Sequence, residues 1–165
     1  MKDFEINYES QEEEYKGEEW AMPVDTSWLK KQLKYPIKMI KPNEVITKAK
    51  EITIHFNYPL DNAADFTFKS KNGFTRKKFY ECIAKGYKRI YREEEADDGN
   101  PGHISGMYNR APSNGRYGIW GHDIGDLVIE GVEKRGKKFH LYIGSWKELN
   151  YESLSCWTYP RIGYG

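Results

Sequence analysis

One apolar stripe limits the fold more than any other feature of the chain. Phe79, Cys82, Ile83, Gly86, Tyr87 and Ile90 recur at helical spacing, with Lys77, Lys78, Lys85, Lys88, Arg89 and Arg92 mostly off the stripe. A helix of this kind must lay its apolar face on a second layer. The spacing predicts a helix over 75–92. Thr75 stands where a hydroxyl accepts from the orphan amides of a first turn, and Phe74 and Phe79 occupy the staple positions around that cap. Glycine inside a helix costs about 1 kcal/mol against alanine, so Gly86 within the stripe predicts close approach to a strand.

The receiving layer is legible on both sides of the helix. Ile52, Ile54, Phe56 and Tyr58 alternate with Thr53, His55 and Asn57, the period-two pattern of a half-buried strand. Phe66 and Phe68 alternate likewise with Asp65 and Thr67, so an antiparallel hairpin over 51–68 is expected. A second hairpin, Leu127 to Glu133 with Lys138 to Ile143, turns around Arg135-Gly136, which sets Glu133 opposite Lys138 and Val132 opposite Phe139. The expected class is α+β: an antiparallel sheet from two β-hairpins packed against one main helix, with an N-terminal arm and an irregular C-terminal tail.

Charge divides the chain into blocks. Residues 1–19 hold eight acids against two lysines, residues 29–50 hold seven lysines against Glu44, and residues 69–92 hold nine basic residues against Glu81. Glu93, Glu94, Glu95, Asp97 and Asp98 follow at once. The acidic first segment shows no sustained apolar period, which predicts a flexible tail over 1–24. A basic arm over 25–50 follows, with a short helix carrying Trp28, Leu29 and Leu33 that ends before Pro36. Residues 51–165 then form a single α+β domain. Thirteen Tyr and five Trp argue for a packed structure. Cys82 and Cys156 have no paired spacing and the start of the chain lacks an apolar leader, so a cytoplasmic setting is expected. No apolar run is long enough to cross a bilayer.

Two places carry candidate chemistry. The first is Tyr117-Gly118-Ile119-Trp120-Gly121-His122-Asp123-Ile124-Gly125-Asp126, which closes a Gly/Pro/Asn-rich stretch from Asp97. Read as an enzyme, it offers His122, Asp123 and Asp126 as a general base with carboxylates, or His122 and Asp126 as metal ligands. The simpler reading packs Trp120, bonds His122 and Asp126 to loop backbone and gives the glycines positive φ. The second place is the helix start, where Thr75, Arg76, Lys77 and Lys78 put cations at the end that the macrodipole makes positive, while acids crowd the other end. That reversed layout suggests an anion or a nucleic-acid strand docking at the first turn.

The string Phe74-Thr75-Arg76 opening a helix that ends Arg89-Ile90-Tyr91-Arg92-Glu93-Glu94, together with the Tyr117–Asp126 string running into Leu127-Val128-Ile129-Glu130, resembles uncharacterised proteins of large nucleocytoplasmic DNA viruses and of some protists. The resemblance spans about residues 50–145. It implies a virion, virus-factory or host-cytosol setting and carries no catalytic assignment.

The function expected from the residues is a non-enzymatic binding or assembly module with a protein partner, acting through the charged arm, Trp28 and the Gly/aromatic loop with Trp120. A metal-dependent hydrolase or nuclease built on His122, Asp123 and Asp126 is the alternative, and nucleic-acid or other polyanion binding at Thr75–Lys78 is the third. No motif asks for a cofactor.

Overall fold

In a computed structural model that describes residues 1–11, 13–27 and 37–145, the stripe forms helix α1 (Arg76–Asp98). Thr75 Oγ1 accepts from Lys78 N at 3.2 Å, and the Gly99 amide closes the other end on Glu95 O at 2.8 Å. Phe74, Phe79, Ile83, Tyr87 and Ile90 are fully buried. Gly86 lies on the ring of Phe56, which a Cβ there would overlap, so the expected close approach to a strand is present. The helix runs six residues past the expected end at Arg92, because the acids of its last turns find donors in the loop that follows.

Among the described residues nine strands accompany it: β1 (Asn7–Glu9), β2 (Glu19–Pro23), β3 (Lys38–Met39), β4 (Val45–Thr47), β5 (Glu51–Phe56), β6 (Ala64–Lys69), β7 (Phe74–Thr75), β8 (Leu127–Arg135) and β9 (Lys138–Ser145). β4 and β7 pair by themselves, and the others form a seven-stranded sheet in the order β3-β1-β2-β8-β9-β5-β6. Both expected hairpins exist, β5 with β6 and β8 with β9, and the class is α+β. The antiparallel two-hairpin sheet is corrected in two respects. The sheet is wider, and it is mixed, since β5 and β9 join the hairpins in parallel with Ile54 opposite Phe139 and His55 opposite His140. An alternating pattern fixes which face of a strand is buried but leaves its neighbour open.

The register of the second hairpin also differs. Arg135 pairs with Lys138, Glu133 with His140 and Val132 with Leu141. The two-residue turn is Gly136-Lys137, one position later than expected, with Gly136 at φ 60°. Moving the turn by one residue shifts each partner by two and keeps every side chain on its expected face.

The acidic start of the chain is part of the sheet, not a flexible tail. Ile6, Tyr8, Met22 and Val24 are buried, β2 pairs with β8 through Met22 opposite Ile129, and Phe4 bridges Val132. The acids alternate with these residues along the strands. Glu9 and Glu19 lie opposite one another in β1 and β2, while Tyr8 and Trp20 form the neighbouring pair with ring centroids 6.0 Å apart. Charge density therefore masks a period-two pattern. Residues 37–50 are likewise built in, through β3 and β4, so the folded unit begins well before residue 51. The expected short helix with Trp28, and the tail from Trp146 with Cys156, lie outside the described residues.

Cys82 is plain core, its thiol pushed up to about 11 by burial. Among the described residues no helix is long and apolar enough to cross a membrane.

Candidate functional site

The loop that follows α1 is strapped to the acidic end of the helix. Glu94 is fully buried, and its carboxylate accepts from Ser113 Oγ at 2.6 Å, Tyr117 N at 2.9 Å and Ile119 N at 3.1 Å. Burial alone raises its pKa, yet these donors together hold it below the ordinary value. Asp97 takes Arg116 through Nε at 2.8 Å and NH2 at 3.0 Å, and Glu93 takes the Tyr117 hydroxyl at 2.6 Å. That hydroxyl, with Arg89 next, lowers the pKa of Glu93. Asp98 accepts from Asn114 N at 2.7 Å. The acids that oppose the macrodipole are thus each met by a hydrogen-bond donor from the loop, and for the buried Glu94 these charge-assisted bonds outweigh the few tenths of a kcal/mol, up to ~1 kcal/mol, that a charge loses at that end.

Above this anchor the loop doubles back on itself. Arg110 bridges both His103 and Gly121, and Ala111 N returns to Gly102 O at 2.9 Å. The Arg110 guanidinium is buried against the Tyr91 ring, 5.2 Å from its centroid, and NH1 lies 3.3 Å from Asp123 and 3.5 Å from Glu95. His103 Nε2 meets the other Asp123 oxygen at 3.1 Å.

A neighbouring aromatic group holds His122. Its Nε2 is 2.8 Å from the Tyr58 hydroxyl, and its carbonyl accepts from Tyr91 OH at 2.7 Å. Trp120 meets Tyr58 edge to face at 5.2 Å between ring centroids. Asp126 accepts from Asp123 N at 3.1 Å, and Gly118 and Gly121 have φ of 63° and 72°. The string follows its simpler reading in part: Asp126 bonds loop backbone and Gly118 and Gly121 are left-handed, whereas the His122 ring meets the Tyr58 side chain, Trp120 stays 40 % exposed beside Tyr58, and Gly125 is not left-handed.

The chemical readings fare differently once geometry is known. Asp123 faces away from His122 chemistry, toward Arg110 and His103, and a guanidinium 3.3 Å from its carboxylate occupies the place a cation would need. His122 Nδ1 and Asp126 Oδ2 are 4.0 Å apart. The rings of His55 and His140 meet at a tilt with centroids 4.7 Å apart, and His55 bonds Asp65 at 2.6 Å, so their partners lie in the sheet. Among the described residues no three His, Cys, Asp or Glu side chains are grouped to hold a metal ion.

At the helix start the donors an anion would use are engaged within the chain. Arg76 N donates to Glu44 O and Lys77 N to Pro42 O, both at 2.9 Å, and Lys78 N donates to Thr75. The Arg76 side chain donates through Nε to Glu5 O and through NH1 to Lys41 O, both at 3.0 Å, with the Glu44 carboxylate 3.3 Å away. Arg76 thus ties three separate segments together, and only the side chains of Lys77 and Lys78 still face solvent there.

Tyr58, Glu94 and Arg110 carry no motif that marks them in the sequence. Tyr58 reads as a strand residue and Arg110 sits in an aperiodic stretch; the one available signal was the surplus of carboxylates at 93–98 beside a loop rich in backbone donors. Compared with family models, curated proteins and solved structures, the chain matches none.

Proposed function

We propose that the chain is a protein-binding module whose contact surface is the rim of the loop between α1 and β8. One observation carries this reading. Among the described residues the large apolar side chains left exposed are Met1, Val45, Ile104, Met107, Tyr108 and Trp120, and the last four all belong to that loop. Tyr108 is 78 % exposed and Met107 54 %. Tyrosine, tryptophan and methionine are the types enriched in interface cores, and the two aromatics give large contact area at small entropic cost. The support beneath them is rigid: the buried carboxylate of Glu94, the buried guanidinium of Arg110 and the bond from Met107 N to Ile104 O at 2.9 Å hold the rim before any partner arrives. Pre-organisation of this kind lowers the cost of binding. The described residues of the charged arm belong to the fold, and its Trp28 lies outside the described residues. A viral or host-cytosol setting rests on the resemblance of the two strings alone.

The test is affinity capture with the full chain, comparing wild type with the double substitution Met107→Glu, Tyr108→Glu. Exposed positions tolerate the change, so circular dichroism and thermal midpoint stay as in wild type. Loss of captured proteins from the variant supports the rim; an unchanged set removes it.

A further inference from the structure

A groove of about 610 Å³ opens between the N-terminal half of α1 and the edge strand β6, away from the helix end that anchors the loop. Its strand wall is Thr67, Phe68 and Lys69; the helix wall presents Lys78, Lys85 and Lys88 with Glu81. β6 ends the sheet order, with β5 on one side. Ser70 N donates to Lys50 O at 2.9 Å, which fixes the phase of the β5/β6 ladder. Counting back from Ser70, Phe68, Phe66 and Ala64 turn their backbone groups toward β5, and Asp65, Thr67 and Lys69 turn theirs outward. The close side-chain pairs Thr53–Thr67 at 3.0 Å and His55–Asp65 at 2.6 Å fit the same phase, because non-hydrogen-bonded pairs bring side chains nearest. Among the described residues no backbone group bonds the outward edge.

Charge sets the kind of partner. Lys69 has a solvent-exposed pair with Glu51 at 3.6 Å, worth little. Lys78, Lys85 and Lys88 make no ion pair among the described residues, and Asp65, the acid at the other end of the strand, is neutralised by Lys138 at 2.5 Å. Stacking surface is scarce: Phe68 is half-buried, and the Tyr80 hydroxyl is tied to Pro23 O at 3.1 Å. A nucleic-acid strand would find lysines there but no platform for its bases. A peptide would find lysines together with a strand edge that no described backbone group pairs.

We infer that this groove binds an extended acidic peptide, which adds a strand to β6 through the outward backbone groups of Asp65, Thr67 and Lys69 and sets its carboxylates against Lys78, Lys85 and Lys88. The site is independent of the loop rim proposed above. The probe is a labelled peptide of about ten residues alternating glutamate and valine, titrated against the full chain by fluorescence anisotropy. Binding is expected to weaken about tenfold or more in the double substitution Lys85→Glu, Lys88→Glu, and as salt rises from about 50 to about 300 mM. Thr67→Pro removes the central outward N–H and spares the β5 ladder, since an edge strand tolerates proline on its free side; it is expected to weaken binding by a similar factor. The same peptide N-methylated at alternate residues tests the backbone on unaltered protein and is expected not to bind. Four results overturn the inference: no binding, equal binding of the N-methylated peptide, equal binding of a lysine–valine peptide, or tighter binding of an oligothymidylate of about fifteen nucleotides through the same lysines.

Discussion

Replacing Glu94 by glutamine tests whether the acidic end of α1 anchors the loop. The side chain keeps its shape, so the change isolates charge and acceptor count. Oε2 serves Ser113 and Ile119 and Oε1 serves Tyr117, so the amide nitrogen of glutamine must face a donor on one side. In the Oε1 place the nitrogen faces Tyr117 N; in the Oε2 place it faces Ile119 N, while the Ser113 hydroxyl can turn to Ile119 O at 3.4 Å and accept from the amide, so one backbone amide is orphaned either way. One orphaned buried amide costs about 1–3 kcal/mol, and turning the two remaining charge-assisted bonds into neutral ones adds roughly 1 kcal/mol, giving about 2–4 kcal/mol in all. The effect depends on pH in a definite direction. The folded pKa of Glu94 lies below the ordinary 4.5, so its stabilisation is complete above that value and is lost as pH falls through the folded pKa. Urea unfolding at neutral pH should show the full gap between wild type and Glu94→Gln, and the gap should close progressively below about pH 4.5. Amide exchange at Tyr117 and Ile119 should quicken in the variant even if the sheet is untouched. A neutral-pH gap under about 0.5 kcal/mol, or a gap that persists unchanged in acid, would refute the anchor.

Two further substitutions separate packing from binding. Gly86→Ala improves helix propensity by about 1 kcal/mol but drives a methyl into the Phe56 ring, where overpacking costs about 1–3 kcal/mol, so thermal unfolding should show a net loss of about 1 kcal/mol; a gain would mean that the ring yields freely. Arg76→Met keeps much of the stem and removes the donors to Glu5 O and Lys41 O, which should cost about 2–4 kcal/mol in urea unfolding and leave polyanion affinity within about twofold; a selective loss of polyanion binding would restore the anion reading of the helix start.

What could be read from the sequence and what could not divide along physical lines. The helix cap at Thr75, the close approach of Gly86 to a strand and the existence of both hairpins follow from local rules, because capping and periodicity act over a few residues. Pairing between hairpins does not: β5 beside β9 in parallel depends on how two already amphipathic units share one helix, and several neighbours satisfy the same alternation. The first strands were hidden for another reason. In a stretch such as Ile6-Asn7-Tyr8-Glu9 the outward half is acidic, and its charge count outweighs a two-residue period when composition is read before pattern.

The reversed charge of α1 shows how one observation can hold two explanations until geometry chooses between them. Cations at a positive helix end and acids at a negative one cost stability locally, which invites a ligand to pay the difference. The partners turn out to be within the chain: at one end Arg76 reaches the carbonyls of Glu5 and Lys41, and at the other Glu94 gathers two loop amides and a hydroxyl. Both are long-range closures, which clamp the N-terminal strands and the loop to the helix that neither adjoins in a regular ladder. A charge that opposes its own helix therefore need not mark a ligand site when an aperiodic segment with many free amides lies close in sequence. Among the described residues Lys78, Lys85 and Lys88 make no ion pair, as is true of Lys77 and Arg92 on the same helix, and those first three line the groove beside β6.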